Sequence, residues 1–152
     1  TGRTFTAVSA TRYFDCPTDR ELWLDDELLT ITTLTNGDGT TLSGTTDYIL
    51  IPANTTPKYA VKIRQSSSKW WQPNSSGETE QVISIAGTWG YSTTAPADIK
   101  DACLEIAGAI YARRLGQGES GASVVTTAGV VITPKDIPDT AYQIIKNYRR
   151  FV

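Results

Sequence analysis

The feature that most constrains the fold is a change of hydrophobic period between Ala95 and Pro96. Before it, short runs of β-branched and aromatic residues are separated by turn residues, which is typical of strands. After it, apolar residues recur about every three to four positions, which is typical of helices. The sequence therefore predicts a β-rich domain over residues 1–95 and a helical domain over residues 96–152.

The strands predicted in the first domain are short. Strand-like runs occupy residues 28–34 (LLTITTL), 48–51 (YILI) and 81–85 (QVISI), among others. The turn after the first of these is Asn-Gly-Asp-Gly at residues 36–39, residue types that tolerate positive φ. Asp25-Asp26-Glu27 stands between two strand-like runs and is predicted to be an exposed acidic turn. Strands at roughly ten-residue spacing predict a small antiparallel sheet, sandwich or partial barrel.

Two helices are predicted in the second domain, at residues 96–115 and 138–150. Each has a proline in its first turn, an acidic residue soon after and basic residues at its end, as the helix dipole favours. The apolar stripe of the first helix consists of Ile99, Cys103, Ile106 and Ile110. Residues 118–133, between the helices, are predicted to be a loop with a small hairpin. Because helices this short are unstable alone, the pair needs another surface to pack on.

The sequence offers little for catalysis. It contains no histidine, the commonest general base and metal ligand. Cys16 and Cys103 are too far apart in sequence for a disulfide framework or a metal knuckle. Residues 116–121 match the letters of a dinucleotide-binding loop, but they follow a helix instead of a strand, so they indicate a helix end. We therefore predict no catalytic site, no metal site, no cofactor and no enzymatic activity.

Charge and hydropathy exclude two further classes of partner. Residues 1–95 carry seven Lys/Arg against ten Asp/Glu, a balance of −3, and residues 96–152 carry seven against six, a balance of +1. A protein that grips nucleic acid usually has a basic balance, so specific DNA binding is not predicted. No run of eighteen apolar residues exists, so no membrane span is predicted.

Adjacent tryptophans, Trp70 and Trp71, follow Lys69 in a Ser-rich segment predicted to be an exposed loop. Tryptophan is common at protein interfaces and at sugar-binding surfaces because it combines a large apolar ring with a polar N–H group. If the two residues were on a strand, they would point to opposite faces, so at most one would be buried. Contact with a partner protein, contact with a sugar and ordinary packing all remain open.

A series of short segments spans almost the whole chain. They are GRTF at residues 2–5, TDYILIP at 46–52, GTWGY at 87–91, PADIKDA at 96–102, YARR at 111–114, IP at 137–138 and YRR at 148–150. Their order and spacing resemble those of the head-to-tail connector (adaptor) proteins of tailed bacteriophages. In that family a helical core carries a β insertion, and helices precede the Gly-Arg-x-Phe element. The resemblance implies an α+β fold with a helical core, an antiparallel β-sheet insertion and N-terminal helices missing before Thr1.

The same resemblance implies a structural role in the virion neck, between capsid and tail, for a protein made in the host cytoplasm. Such adaptors form a homo-oligomeric ring, commonly twelve-fold, that docks on the portal protein. The opposite face of the ring receives a stopper or tail-completion protein. DNA passes through the lumen without specific binding, and no membrane is involved.

Two sets of residues follow from the resemblance as expected contacts. Contact with the portal is expected at Tyr148, Arg149, Arg150, Phe151 and Val152. Packing between subunits is expected at Ala102, Gly108, Ala109 and Ala112. The alternatives are an ordinary helix end for the first set and packing within one chain for the second.

A different function is compatible with the β-rich domain. Trp70 and Trp71 in an exposed loop are also what a carbohydrate- or receptor-binding β module of a tail component would carry. A small enzyme of an unrecognised kind is disfavoured by the absence of histidine.

Overall fold

The computed structural model describes residues 1–116, 124–125, 131–132 and 137–150 of the 152-residue chain. The chain divides into two compact units. The sheet unit consists of residues 3–94, and the helical unit consists of residues 1–2 with the described residues from 95 onward.

The sheet unit is built on one antiparallel sheet of six strands. The strands are β1 (Val8–Phe14), β2 (Glu21–Thr35), β3 (Thr41–Leu42), β4 (Tyr48–Ile51), β5 (Lys58–Ile63) and β6 (Ile83–Trp89). Their order across the sheet is β1-β6-β2-β5-β4, with β3 paired to the end of β2. Strand β6 is therefore hydrogen-bonded on both sides, to β1 and to β2.

The core of the sheet unit follows from the two-residue period of its strands. In β6, Ile83, Ile85, Gly87 and Trp89 are buried, and the residues between them are half-buried. The main cluster of buried apolar side chains comes entirely from residues 14–89. The strand pattern predicted at residues 81–85 thus marks β6, one of the strands that lie inside the sheet.

Trp89 ties the edge strand β1 to the centre of the sheet. Its ring is buried and stacks on Phe14, with 5.9 Å between the ring centroids. Its Nε1–H group donates a hydrogen bond to the carbonyl oxygen of Ala10 at 3.0 Å, as a buried indole requires. The guanidinium carbon of Arg12 lies 4.5 Å from the centre of the Trp89 ring.

The GRTF and GTWGY segments, far apart in sequence, meet beside the end of β6. Arg3 forms a salt bridge with Glu27, whose side chain is fully buried. The Tyr91 amide donates to the carbonyl of Thr4 at 2.7 Å, and the Gly90 amide donates to the carbonyl of Glu27 at 2.7 Å. A buried carboxylate is costly without a cation, so Arg3 stabilises this corner of the sheet unit.

The acidic turn predicted at Asp25-Asp26-Glu27 is wrong, because β2 runs through these residues. Its register with β5 shifts between Trp23 and Leu28, as at a bulge. The Asp26 carboxylate lies 2.7 Å from Arg12 Nη2, and Glu27 pairs with Arg3. The arginines that stabilise these acidic residues on a strand come from other segments of the chain. The local sequence therefore does not show that residues 25–27 belong to β2.

The helical unit contains helices α1 (Ala97–Gly116) and α2 (Asp139–Asn147). The helices are antiparallel, since the Tyr148 hydroxyl donates to the Asp98 carboxylate at 2.9 Å and the Thr140 hydroxyl donates to Glu105. Between the helices, strand β7 (Val124–Val125) pairs with strand β8 (Val131–Ile132) in antiparallel fashion. This pair lies inside the segment 118–133, for which a hairpin was predicted.

The predicted fold class, a helical core with the sheet as an insertion, is wrong. The described part of the chain is mostly antiparallel sheet and contains two short helices. Among the described residues from 95 onward, the buried apolar side chains are Ile99, Ala102 and Ala141, two of which are alanines. Because buried apolar area is the main source of stability, the strands carry the core and the helix pair adds little to it.

Replacing Gly87 with alanine tests how closely β6 approaches β2. A Cβ at this position would lie 2.2 Å from the carbonyl oxygen of Thr30, a backbone atom that cannot rotate away. We expect Gly87→Ala to lower the free energy of unfolding of the sheet unit by about 3 kcal/mol. Urea unfolding followed by tryptophan fluorescence measures this, since all four tryptophans lie in the sheet unit.

Gly108→Ala in α1 is the matched control, because a Cβ there meets nothing within 4 Å. It should leave unfolding of the sheet unit unchanged and favour the helix by about 1 kcal/mol. If Gly87→Ala had the same free energy of unfolding as the parent, the close approach of β6 to β2 would be contradicted.

Candidate functional site

The four tryptophans separate into a buried pair and an exposed pair. Trp71 and Trp89 are 2% and 1% exposed, whereas Trp23 and Trp70 are 66% and 41% exposed. Both exposed tryptophans line the same cleft of the sheet unit, which we call the tryptophan cleft. Two indole rings left in water at one place indicate a binding surface more strongly than scattered apolar residues do.

The position of Trp23 follows from the alternation of β2. Leu22 and Leu24 are buried in the core, so the side chain between them points to the other face of the sheet. The sequence analysis did not single out Trp23. The signal was present, since a tryptophan at an outward position of an alternating strand is costly unless something covers it.

Trp71 anchors the loop that presents Trp70. Its buried Nε1–H group donates to the carbonyl of Arg20 at 3.0 Å. Trp70 and Trp71 lie in a loop and not on a strand, and of the two Trp71 is the buried one. Trp71 therefore has a packing role, and the possible contact with a partner falls to Trp70.

Asn36 holds the backbone on both sides of Trp71. Its side chain is only 3% exposed, and its Nδ2 donates to the carbonyl of Trp70 at 2.9 Å. Its Oδ1 accepts from the amides of Gln72 and Gly37, each at 3.1 Å. The sequence identified Asn36 only as a turn residue, because its contacts with residues 70–72 depend on the tertiary fold.

Arg20 fixes the ring of Trp70 from one side. Its guanidinium carbon lies 4.2 Å from the ring centroid, a cation–π contact, and its Nη1 donates to the carbonyl of Arg64 at 2.7 Å. Trp70 is thus held at its backbone by Asn36 and at its ring by Arg20.

The tryptophan cleft has a volume of about 880 Å³ and combines rings with charged groups of both signs. Lys62 Nζ and Glu21 Oε1 form a salt bridge at 2.7 Å on the cleft wall. The complete lining is Pro17, Thr18, Asp19, Arg20, Glu21, Trp23, Lys62, Gln65 and Trp70. Its two carboxylates and two cations balance, so the cleft carries no formal net charge.

A second surface lies on the helical unit. Leu104 and Tyr111, seven residues apart and so on the same side of α1, are 71% and 65% exposed. Ile110 on α1 and Tyr142 on α2 are about half exposed. We call the side of α1 that carries Leu104 and Tyr111 the helix surface. Leu104 was not part of the predicted stripe, and Ile110, which was, is 45% exposed.

The residues predicted for subunit packing occupy different sides of α1. Ala102 is buried, Ala109 is half-buried, and Gly108 and Ala112 are exposed. Leu104 is two residues beyond Ala102, or about 200° around the helix, so it faces away from the buried side. A Cβ added at Gly108 would meet nothing within 4 Å, and Gly108 lies one turn from Leu104 on the helix.

The residues predicted for portal contact lie at the end of α2, and Phe151 and Val152 fall outside the described residues. Tyr148 is bonded to Asp98 through its hydroxyl, and the Arg150 amide donates to the carbonyl of Thr1 at 3.1 Å. Arg149 is exposed. Together with Lys146 and Tyr142, the two arginines line a groove of about 370 Å³, which makes this end of the helical unit basic.

The His, Cys, Asp and Glu side chains of the described residues form no metal-binding group, and two of the shifted pKa values belong to Cys16 and Asp47. No group of three or more His, Cys, Asp or Glu side chains among them is placed to hold a metal ion. Burial raises the pKa of the Cys16 thiol, and the Ser43 amide, which donates to the Asp47 carboxylate, lowers the pKa of that group. Neither described helix combines the length and apolarity needed to cross a membrane.

Comparison of the chain with protein-family models, with curated proteins and with solved structures gives no match. We therefore infer the function from the tryptophan cleft, the helix surface and the order of the short segments from GRTF to YRR.

Asn36→Ala tests whether the buried amide holds the Trp70 loop. The substitution leaves the amides of Gly37 and Gln72 and the carbonyl of Trp70 without their partner inside the protein. We expect the free energy of unfolding to fall by about 3 kcal/mol, since buried polar groups are costly when unpaired. Urea unfolding followed by tryptophan fluorescence is the measurement.

Asn74→Ala provides the control. Asn74 also makes three side-chain hydrogen bonds, to Ser76 and Glu78, but at an exposed turn where water can replace them. Its loss should cost less than about 1 kcal/mol. Equal effects of the two substitutions would show that burial of Asn36 contributes nothing.

Proposed function

We propose that this chain is a non-enzymatic assembly protein of a tailed bacteriophage, a head-to-tail adaptor that forms a ring with copies of itself beneath the portal. The observation that carries the proposal is the uncovered helix surface, formed by Leu104 and Tyr111 on one side of α1. The order of the GRTF, GTWGY, PADIKDA and YARR segments supports the specific role in the virion neck.

The physical argument begins with the distribution of apolar residues on α1. Ile99 and Ala102 face the buried side, while Leu104 and Tyr111 lie in water on the opposite side. A helix that is apolar all round is normally buried all round. Covering a leucine or tyrosine side chain fully contributes about 1.5–3 kcal/mol, so a partner on this side gains several kcal/mol from the helix surface alone.

A second copy of the chain is the partner that the proposal assigns to the helix surface. Each copy would place its helix surface against a different patch of the next copy, and such head-to-tail contacts close into a ring when the rotation between copies allows it. Gly108 supports close packing here, because a Cβ added there would meet nothing within 4 Å and it lies one turn from Leu104. Ala102 is left out of the proposed interface, because it is already buried within the chain.

The basic end of α2 is the proposed contact with the portal protein. Three basic residues line the groove at this end, namely Lys146, Arg149 and Arg150. The C-terminal end of a helix also carries a partial negative charge from its dipole, but this charge is too small to neutralise three cations. The near-neutral balance of the whole chain, −2, suits a lumen through which DNA passes without being held. A stopper or tail-completion protein would bind the opposite face of the ring.

Leu104→Asp tests assembly through the helix surface. A carboxylate at the centre of an apolar interface is costly to desolvate, so we expect ring formation, alone or on purified portal rings, to be lost. Light scattering after size exclusion and negative-stain images with portal rings measure it. Thr55→Asp, which adds the same charge on an exposed loop of the sheet unit, is the control and should assemble like the parent.

A parent chain that stays monomeric both alone and with portal rings would contradict the proposal. So would a Leu104→Asp chain that assembles as well as the parent.

Arg149→Glu tests portal docking separately from ring formation. Reversing an exposed charge in the proposed contact should weaken co-sedimentation with portal rings about tenfold at low salt, while the ring itself still forms. Arg114→Glu, an exposed arginine near the end of α1, is the matched control and should dock normally. Equal docking by both variants would remove the end of α2 from the contact.

A further inference from the structure

The tryptophan cleft has no part in the proposed ring contacts, yet it has the features of a constructed binding site. It holds both exposed tryptophans of the chain, whereas the two other tryptophans are core residues. Leaving Trp23 and Trp70 in water forgoes several kcal/mol of burial free energy, which a bound ligand would recover in part. The composition of the cleft indicates which ligand this is.

The cleft is organised in advance of binding. Trp71 anchors the loop in the core, Asn36 bonds to the carbonyl of Trp70, and Arg20 stacks on the Trp70 ring. Trp23 stands on β2, which is hydrogen-bonded to β5 at this point. Because the Trp70 ring is already held by Arg20, it loses little conformational entropy when a ligand packs against it, so even a small ligand gains useful affinity.

The charges of the cleft argue against an ionic ligand. Asp19 and Glu21 are balanced by Arg20 and Lys62, and Glu21 is directly paired with Lys62. A phosphate, a sulfate or a cationic group would meet as much repulsion as attraction. A neutral ligand meets no such penalty.

The hydrogen-bonding groups of the cleft match hydroxyl groups. The Glu21–Lys62 bond uses one lone pair and one proton, which leaves further acceptors on the carboxylate and further donors on the ammonium. Gln65 adds an amide with both functions. A hydroxyl group donates and accepts at once, so it suits a wall that offers both.

We propose that the tryptophan cleft binds a neutral oligosaccharide of gluco-configured pyranose rings. The C–H groups on the face of such a ring pack against an indole face, whose negative quadrupole attracts them. The hydroxyl groups at its rim reach Glu21, Lys62 and Gln65. A pyranose therefore has apolar faces that fit the two indole rings of the cleft, and a rim of hydroxyl groups that fits its polar walls. This inference is independent of the proposed ring assembly.

The test uses the indole N–H signals of the parent chain in two-dimensional nuclear magnetic resonance. Cellotetraose and chitotetraose are the probes. We expect at least one of them to shift the signals of Trp23 and Trp70, with a dissociation constant of about 1 mM or tighter, and to leave those of Trp71 and Trp89 in place. The unshifted core signals report that the sheet unit remains folded.

Trp23→Ala and Trp70→Ala should each weaken binding at least about tenfold, the loss of one stacking surface. Tyr13→Ala is the matched control, because Tyr13 is an exposed aromatic residue of β1 that does not line the cleft. It should bind like the parent. Equal weakening by Tyr13→Ala would overturn the proposal.

Two further results would overturn it. One is the absence of any shift with both probes up to about 10 mM, a concentration at which even a weak site is filled. The other is a shift of Trp23 and Trp70 by a proline-rich peptide when both sugars leave them unchanged, which would assign the cleft to a protein partner.

Discussion

The hydrogen-bonding of β6 to both β1 and β2 is the constraint on which the rest of the sheet unit depends. Gly87 lets the Thr30 backbone approach β6, and Trp89 joins β1 to it through the Ala10 carbonyl. With this strand in place, Glu27 is buried at its end and requires Arg3 as its counter-charge. The GRTF and GTWGY segments therefore belong to one structural corner, which explains the presence of both without assigning either a binding role.

The same sheet decides which tryptophans are available for function. Trp71 enters the core and its indole N–H pairs with the Arg20 carbonyl, so Trp70 must lie outside it. Alternation along β2 puts Trp23 outside as well. Both tryptophans of the cleft are thus exposed because the residues next to them in sequence are packed in the core. Asn36 then fixes the backbone of the Trp70 loop through its hydrogen bonds. The helix surface has a different cause: α1 carries apolar residues on all sides, and α2 is too short to cover them.

Local patterns in the sequence predicted the positions of the two helices well. They did not predict whether the strands or the helices form the core. The helices expected at residues 96–115 and 138–150 are found at Ala97–Gly116 and Asp139–Asn147, because proline, acidic and basic residues mark helix ends locally. Which part forms the core was mispredicted, since the regular stripe of α1 gives no measure of the area it buries. Glu27, Asn36 and Trp23 acquire their roles from segments far away in sequence. Trp70 was found as a candidate because adjacent tryptophans in a polar loop are conspicuous without any tertiary information.

We propose that this chain assembles with itself through the helical unit. Electron cryo-microscopy of the chain bound to portal protein tests it most directly. We expect a closed ring in which Leu104 and Tyr111 of each copy are covered by the neighbouring copy. A ring whose subunits meet elsewhere, with Leu104 still in solvent, or the absence of any ring on the portal, would contradict it.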